Sequence, residues 1–339
     1  ATRAGWSWRE PDRHDTFARP RAPPDVPMKV TVTGAGGMLG RALVPAFMAA
    51  GHEAVALTRE HADVTRLAEL RRALRASAPD WVVHLAAFTR VDECESQADR
   101  AHLVNGLGAR NAAQAAAEAG AAILVLSTDY VFPGDGIRPY RENDPTGPRS
   151  VYGAAKLAGE QGAREINPRH VVVRTAWLYG QGGVNFVDTI LARARSGEPL
   201  RVVDDQRGSP TSTSDLAPAL VRLAEAGQYG TYHCTNSGEC SWHEFAVHVL
   251  RRSGLAVPVA RIDSATLARP ALRPAYSVMS NLMFEHVTGH RMPHWQDAVD
   301  RYLGLGANAV RASEEARGSG HDRRSAGRSS GRRAPPCAR

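Results

Sequence analysis

The residues Lys29–Thr33, KVTVT, form a β-branched run that passes without a spacer into Gly34-Ala-Gly-Gly-Met-Leu-Gly40, and Leu39–Ala50 then carries apolar residues at helical spacing. A strand that ends in a glycine-rich turn and continues as a helix has few uses. Gly34 supplies a tight turn, Gly37 close backbone approach to an anion, and Gly40 close packing of the helix on the strand. Met38 and Leu39 open a helix whose N-terminal amides face that anion. The turn predicts a dinucleotide site at the start of the fold.

Beyond it the chain alternates. Ala54–Leu57, Trp81–Leu85, Ala122–Leu126 and Val171–Arg174 read as short buried strands, separated by the helical stretches Arg66–Ala76, Ala98–Glu118 and Val151–Glu165. Such alternation builds an α/β fold, a Rossmann-type doubly wound parallel sheet with helices on both faces. After Tyr179 the rhythm breaks at Gly182-Gly183, Gly197-Glu-Pro199 and Gly208-Ser-Pro210. A strand-like Thr231–Cys234 and a helix near Trp242–Arg252 follow. We therefore expect a cofactor-binding core over 28–180, and the remaining sheet elements with a smaller C-terminal substrate lobe over 181–304.

The net charge of +7 suggests nucleic acid until the charge is located. Residues 28–304 hold 29 basic and 28 acidic side chains, whereas 305–339 hold eight Arg against three acids. No nucleic-acid partner is predicted. Residues 1–27, rich in Arg and Pro, and 305–339, rich in Gly, Ser, Arg and Ala, lack the apolar content that offsets chain ordering. Both are expected to be disordered, with Met28 as the natural start. No run of about eighteen apolar residues predicts a membrane span. Cys94, Cys234, Cys240 and Cys337 show neither a C-x-x-C pair nor regular spacing, so a reducing cytoplasm is expected rather than a disulfide framework or a cysteine zinc site. The 13 His read as surface or packing residues, and no metal site is predicted.

Tyr152-Gly-Ala-Ala-Lys156 carries the most chemistry. Positions i and i+4 share a helical face, so an ammonium beside the phenol is expected to lower its pKa from about 10. The chain has 40 Arg and only two Lys, Lys29 and Lys156. With so few lysines a chance Y-x-x-x-K is expected about 0.05 times. Lysine is kept where a compact ammonium is needed and a guanidinium fork would not serve. Upstream, Ser127-Thr128-Asp129-Tyr130-Val131-Phe132 closes a strand, and ligands of open α/β sheets bind at the strands' carboxyl ends. The Thr128 hydroxyl and the Asp129 carboxylate are expected there. The second strand ends in Thr58-Arg59 where an NAD site carries an acid, so Arg59 is expected to pair with a 2′-phosphate, favouring NADPH over NADH. Asp63 and Val64 are expected at the adenine. Trp242 and Trp295 read as core residues.

Together these residues resemble the extended short-chain dehydrogenase/reductase superfamily: G-x-x-G-x-x-G, His84-Leu85-Ala86-Ala87, Asn105 and Y-x-x-x-K follow its order. More narrowly, His84-Leu-Ala-Ala-Phe-Thr89-Arg-Val-Asp92-Glu-Cys-Glu95, S-T-D-Y-V-F from Ser127 and Arg174-Thr-Ala-Trp177-Leu-Tyr179-Gly are similar to the dTDP-4-dehydrorhamnose reductase family. So are Asn185-Phe186-Val187, Asp205-Gln-Arg-Gly208-Ser-Pro210-Thr211 and Arg273-Pro274. The resemblance spans about residues 28–304. Met38 departs from it, standing where the family usually has Gln.

The resemblance implies Tyr152 as proton donor to a forming alkoxide, and Lys156 as its electrostatic tuner and nicotinamide-ribose ligand. Thr128 would bond the reacting oxygen, with Asp129 and Trp177 toward the sugar, and Ala86, Ala87 and Thr89 would join the glycine turn around the cofactor. The implied reaction is hydride transfer from NADPH, with NADH as the alternative, to the C4 ketone of dTDP-4-dehydro-β-L-rhamnose, giving dTDP-β-L-rhamnose for cell-surface polysaccharide. A monomer or homodimer is implied. Mg2+ also belongs to descriptions of the family, but no acidic cluster in the sequence can be assigned to it. Two alternatives stay open: another nucleotide-sugar reductase, epimerase or dehydratase of the superfamily, and a non-catalytic binding subunit similar to the regulatory subunit of methionine adenosyltransferase. The intact Thr128, Tyr152 and Lys156 set argues against the second.

Overall fold

The structure is a computed structural model that describes residues 26–305. The expectations for the two ends of the chain fall almost wholly outside the described residues. Within them the order is β1 (Lys29–Thr33), α1 (Met38–Ala49), β2 (Glu53–Leu57), α2 (Leu67–Ser77), β3 (Trp81–His84), α3 (Val91–Ser96), α4 (Ala98–Ala101), α5 (Gly108–Glu118), β4 (Ala122–Thr128), α6 (Val151–Ile166) and β5 (His170–Thr175). The strand Gly230–His233 then joins β5, and the sheet runs from it through β5, β4, β3 and β1 to β2. Every pairing is parallel. The expected doubly wound sheet is present.

Both faces of the sheet are covered, which is why its central strands read as continuous apolar runs. Val83 and Leu124 point to one face, against Leu43 and Phe47 of α1 and Leu216 and Leu220 of α8 (Thr213–Ala226). Their neighbours Val82, Ile123 and Val125 point to the other, against Leu70 and Leu74 of α2 and Ala112 and Ala116 of α5. Period-two alternation sorts one strand into two cores.

The single helix expected over Ala98–Glu118 is interrupted. Between α4 and α5 the segment His102–Leu107 is π-helical, and Asn105 within it bonds the Phe88 backbone on both sides, receiving from its N–H at 2.7 Å and donating to its carbonyl at 3.0 Å. The side chain thereby fixes the loop that follows β3. A one-turn widening leaves the apolar pattern on either side intact, so nothing in the periodicity signals it.

The C-terminal lobe packs α7 (Phe186–Arg195) on α9 (Trp242–Arg252), around Tyr179, Leu191, Phe245, Val249 and Trp295. Leu200–Val203 and Val259–Ile262 pair beside them as a short parallel ladder. Asn185 caps α7 by accepting from the Asp188 amide, and α9 opens on a capping box between Ser241 and Glu244. No helix among the described residues is long and apolar enough to cross a membrane.

Candidate active site

Parallel strands end on one edge of a sheet, and a cleft of about 1130 Å³ opens there. The glycine turn forms its floor. Gly34 has φ +70°, and a Cβ on it would stand 2.6 Å from the Ala86 amide nitrogen. A Cβ on Gly40 would stand 2.5 Å from the Ala35 Cα, so the tight turn and the close helix packing both require glycine. Gly37 caps α1 through its backbone, and Gly34, Gly37, Met38, Leu39 and Gly40 all line the cleft. Ala86, Ala87 and Thr89 form the adjoining wall.

Arg59, Asp63 and Val64 line the far end. Arg59 is 83% exposed and lies 3.6 Å from the Asp63 carboxylate. That carboxylate also accepts from the Thr65 amide at 2.9 Å and its hydroxyl at 2.8 Å, bonds that hold it below the usual carboxylate range. Asp63 thus shapes its own turn, while the Arg59 guanidinium stays at the solvent edge.

At the other end, Thr128 closes β4 in register with Thr175 of β5. Ser150 accepts from the Gly153 amide at 3.2 Å, which starts α6 at Val151 and sets Tyr152 and Lys156 in the cleft wall. Two glycines fix how closely this helix approaches: a Cβ on Gly153 would overlap the Tyr130 carbonyl, and one on Gly159 the Asn105 carbonyl. Lys156, only 6% exposed, donates to the Leu126 carbonyl. Thr128 donates to Asp129 at 2.9 Å and accepts from the Tyr130 amide at 3.3 Å. Tyr130 packs edge-on against Tyr152 with 5.6 Å between centroids.

The electrostatics correct one expectation. Burial and the Asp129 carboxylate push the Tyr152 phenol upward, with only the neighbouring Thr128 hydroxyl among its hydrogen-bond partners opposing them. The phenol is therefore not drawn down. The i, i+4 spacing puts both residues on one helix face, but the long lysine side chain turns to the β4 backbone, and desolvation outweighs what the spacing promised. Burial pulls Lys156 down to about 8 against the raising effect of Glu160. Burial pushes Asp129 up to about 6, against the nearby Ser277 and Thr128 hydroxyls.

Behind these groups lies a buried polar network. Glu160 accepts from Ser127 at 2.5 Å, from Arg174 at 3.0 and 2.8 Å, and from Arg164 at 2.8 Å. It ties α6 to β4 and β5 one residue away from Thr128 and Thr175.

The C-terminal lobe completes the cleft with Trp177, whose φ of +48° is rare for a bulky side chain. Its indole fills the space beside Gly208, where a Cβ would overlap the ring, and its face stacks on Trp242. Trp242, expected in the core, packs against it half-buried and lines the cleft as well, whereas Trp295 is 4% exposed and belongs to the core. An aromatic in the first turn of an amphipathic helix packs on whatever the lobe brings to it, and the sequence carries no signal of that. Arg100 and Arg269, which stand in no motif of the sequence, also line the cleft. Among the described residues no three His, Cys, Asp or Glu side chains converge as a metal site would require. His286, His290 and His294 recur at i, i+4 spacing, but the helix Leu282–Thr288 stops at Gly289 and they gather no such group.

A glycine turn shaped for a dinucleotide, a protonated phenol beside a strand-end threonine and a buried ammonium, all on the carboxyl edge of a doubly wound sheet, define a nicotinamide-dependent oxidoreductase of the extended short-chain type. The chain belongs to the RmlD substrate binding domain family, which spans its residues 28–306. It is 46% identical over 275 residues to the dTDP-4-dehydrorhamnose reductase of Streptomyces griseus, covering 79% of this chain and 90% of that one. It is 43% identical over 277 residues to a probable dTDP-4,6-dihydroxy-2-methyloxan-3-one 4-ketoreductase of Streptomyces antibioticus, covering 80% and 93%. The crystal structure of dTDP-4-dehydrorhamnose reductase from Bacillus anthracis in complex with NADP superposes with a TM-score of 0.80 at 35% identity, covering 82% of this chain and 99% of that one.

Proposed function

We propose that the protein reduces the C4 ketone of dTDP-4-dehydro-β-L-rhamnose to dTDP-β-L-rhamnose with NADPH. The observation that carries the reading is the Tyr152 phenol, held protonated by burial and Asp129 beside the Thr128 hydroxyl, at the end of a cleft that begins on the glycine turn. NADPH supplies the hydride when bound. Its diphosphate would rest on Gly37 and the first amides of α1, its 2′-phosphate at Arg59 in exchange for Asp63, and its nicotinamide ribose at Lys156. As negative charge develops on the C4 oxygen, Thr128 turns its single hydroxyl proton from Asp129 to that oxygen and Tyr152 gives up its proton. Asp129 and Trp177 orient the sugar ring.

The test is direct. Purified protein given NADPH and the 4-keto sugar should consume NADPH and yield the 4-hydroxy product; binding of NADPH with no reduction of any keto nucleotide sugar would overturn the reading and leave the binding-subunit alternative. The likeness to the Streptomyces antibioticus 4-ketoreductase favours a second reading, the same chemistry on a different 4-keto sugar. A panel of 4-keto nucleotide sugars ranked by kcat/KM separates the two.

A further inference from the structure

The cleft lining also carries positive charge that the hydride step does not use. Asp92, near the start of α3, receives Nη1 of Arg269 at 3.0 Å, Nη1 and Nη2 of Arg273 at 3.0 Å each, and the Ala271 amide at 3.3 Å. One carboxylate of the cofactor half thus holds a whole loop of the C-terminal lobe. Burial would raise this carboxyl, but the bonds from Arg273, Arg269 and Ala271 prevail and leave it at about 2. Two guanidiniums share one negative charge, so the cluster keeps a surplus of one positive charge.

That surplus falls on Arg269. Arg273 is 17% exposed and commits both Nη atoms to Asp92, whereas Arg269 is 51% exposed, gives Asp92 its Nη1, and lines the cleft. Arg100 lines the same cleft, bonded to Gln97 at 2.9 Å with its guanidinium 4.4 Å from the centre of the Phe88 ring. The cluster is close to the chemistry. The charges of Arg273, Asp92 and Arg269 all act on the Tyr130 phenol, and the Tyr130 ring packs on Tyr152.

A nucleotide sugar brings a second diphosphate into a cleft that already serves the cofactor's. In a pyranose, C1 and C4 lie across the ring from each other, so a sugar with its C4 oxygen at Tyr152 directs its diphosphate away from the catalytic end, toward the rim. The cations lining the cleft are Arg59, Arg100, Lys156 and Arg269. Arg59 sits at the adenosine end and Lys156 is buried on the Leu126 carbonyl. We propose that Arg269 and Arg100 together bind the diphosphate of the nucleotide sugar, with Asp92 as a positioning residue that keeps Arg269 at the rim. Guanidiniums meet phosphate oxygens with paired, charge-assisted hydrogen bonds, and a half-exposed one anchored through a single nitrogen has the others to offer. The inference rests on the reductase reading, since it takes its ligand from there.

Calorimetric titration of the NADPH-loaded protein with dTDP and with thymidine tests it. The wild type should prefer dTDP, and Arg269→Gln and Arg100→Gln should each weaken dTDP by about tenfold or more while leaving thymidine and NADPH nearly unchanged. Undiminished dTDP binding in both variants would overturn the assignment. Parallel loss of dTDP and thymidine would also overturn it, because a loosened loop weakens both alike. If the wild type reduces no 4-keto sugar and binds no dTDP, the reductase reading itself fails, and that result is visible before any variant is made.

Discussion

Trp177 and Trp242 stack with 3.7 Å between ring centroids and 8° between their planes, one from the segment after β5 and the other from the first residue of α9. The pair joins the C-terminal lobe to the sheet edge, and each ring immobilises its partner. Trp242→Ala should free Trp177 and raise the KM for the sugar about tenfold, with NADPH affinity unchanged. Gly208→Ala should act in the same direction by pushing the Trp177 ring from the other side. Steady-state KM values beside NADPH fluorescence titrations check both.

Tyr152→Phe keeps the ring against Tyr130 and removes the acid. Its kcat should fall by about a hundredfold or more while the Kd for NADPH holds. Near-normal turnover in this variant would remove Tyr152 from the chemistry.

The pH dependence follows from Lys156. Burial lowers its pKa to about 8, so it is charged below that pH and neutral above it. NADPH affinity and kcat/KM should therefore decline as pH rises through about 8. Glu160 acts to raise the Lys156 pKa, so Glu160→Gln should move this limb to lower pH. The same change leaves Arg174 buried beside a neutral partner, and a lower Tm should accompany the shift. A limb that stays in place while the Tm falls would assign Glu160 to stability alone.

Arg59→Ala should raise the KM for NADPH more than that for NADH, because only NADPH carries the phosphate an exposed guanidinium can meet. Equal responses would make Arg59 an ion-pair partner of Asp63 and nothing more.

What was legible in the sequence were features with a fixed local spacing. The sheet could be read because strands covered on both faces carry uninterrupted apolar runs; β2, expected to be buried like the others, is buried only at Leu57 because it lies at the edge of the sheet. The glycine turn, Thr128, Tyr152 and Lys156 stand at set distances along the chain, and the fold brings them to one cleft. Trp242, Arg100 and Arg269 were not legible as site residues, because their place depends on how a lobe and a loop settle on the sheet edge. The direction of the Tyr152 pKa was misread for a related reason: spacing names the neighbours of a phenol, whereas burial is decided by the whole assembly. The π-helical turn at Asn105 escaped because the helices on both sides keep the same pattern.

The glycines of α6 bear on how this site tolerates substitution. Glycine lowers helix propensity by about 1 kcal/mol relative to alanine, so Gly153 and Gly159 weaken the helix that carries Tyr152 and Lys156. In return they let main chain rest on main chain, at the Tyr130 and Asn105 carbonyls. Contacts of this kind have no side chain that drift in sequence can trim or enlarge. Tyr130 and Asn105 hold α6 through their carbonyls whatever side chains they carry, whereas Ala109, whose Cβ lies 2.9 Å from where a Cβ on Gly159 would stand, has to stay small; together these contacts set the standoff from which Tyr152 faces Thr128.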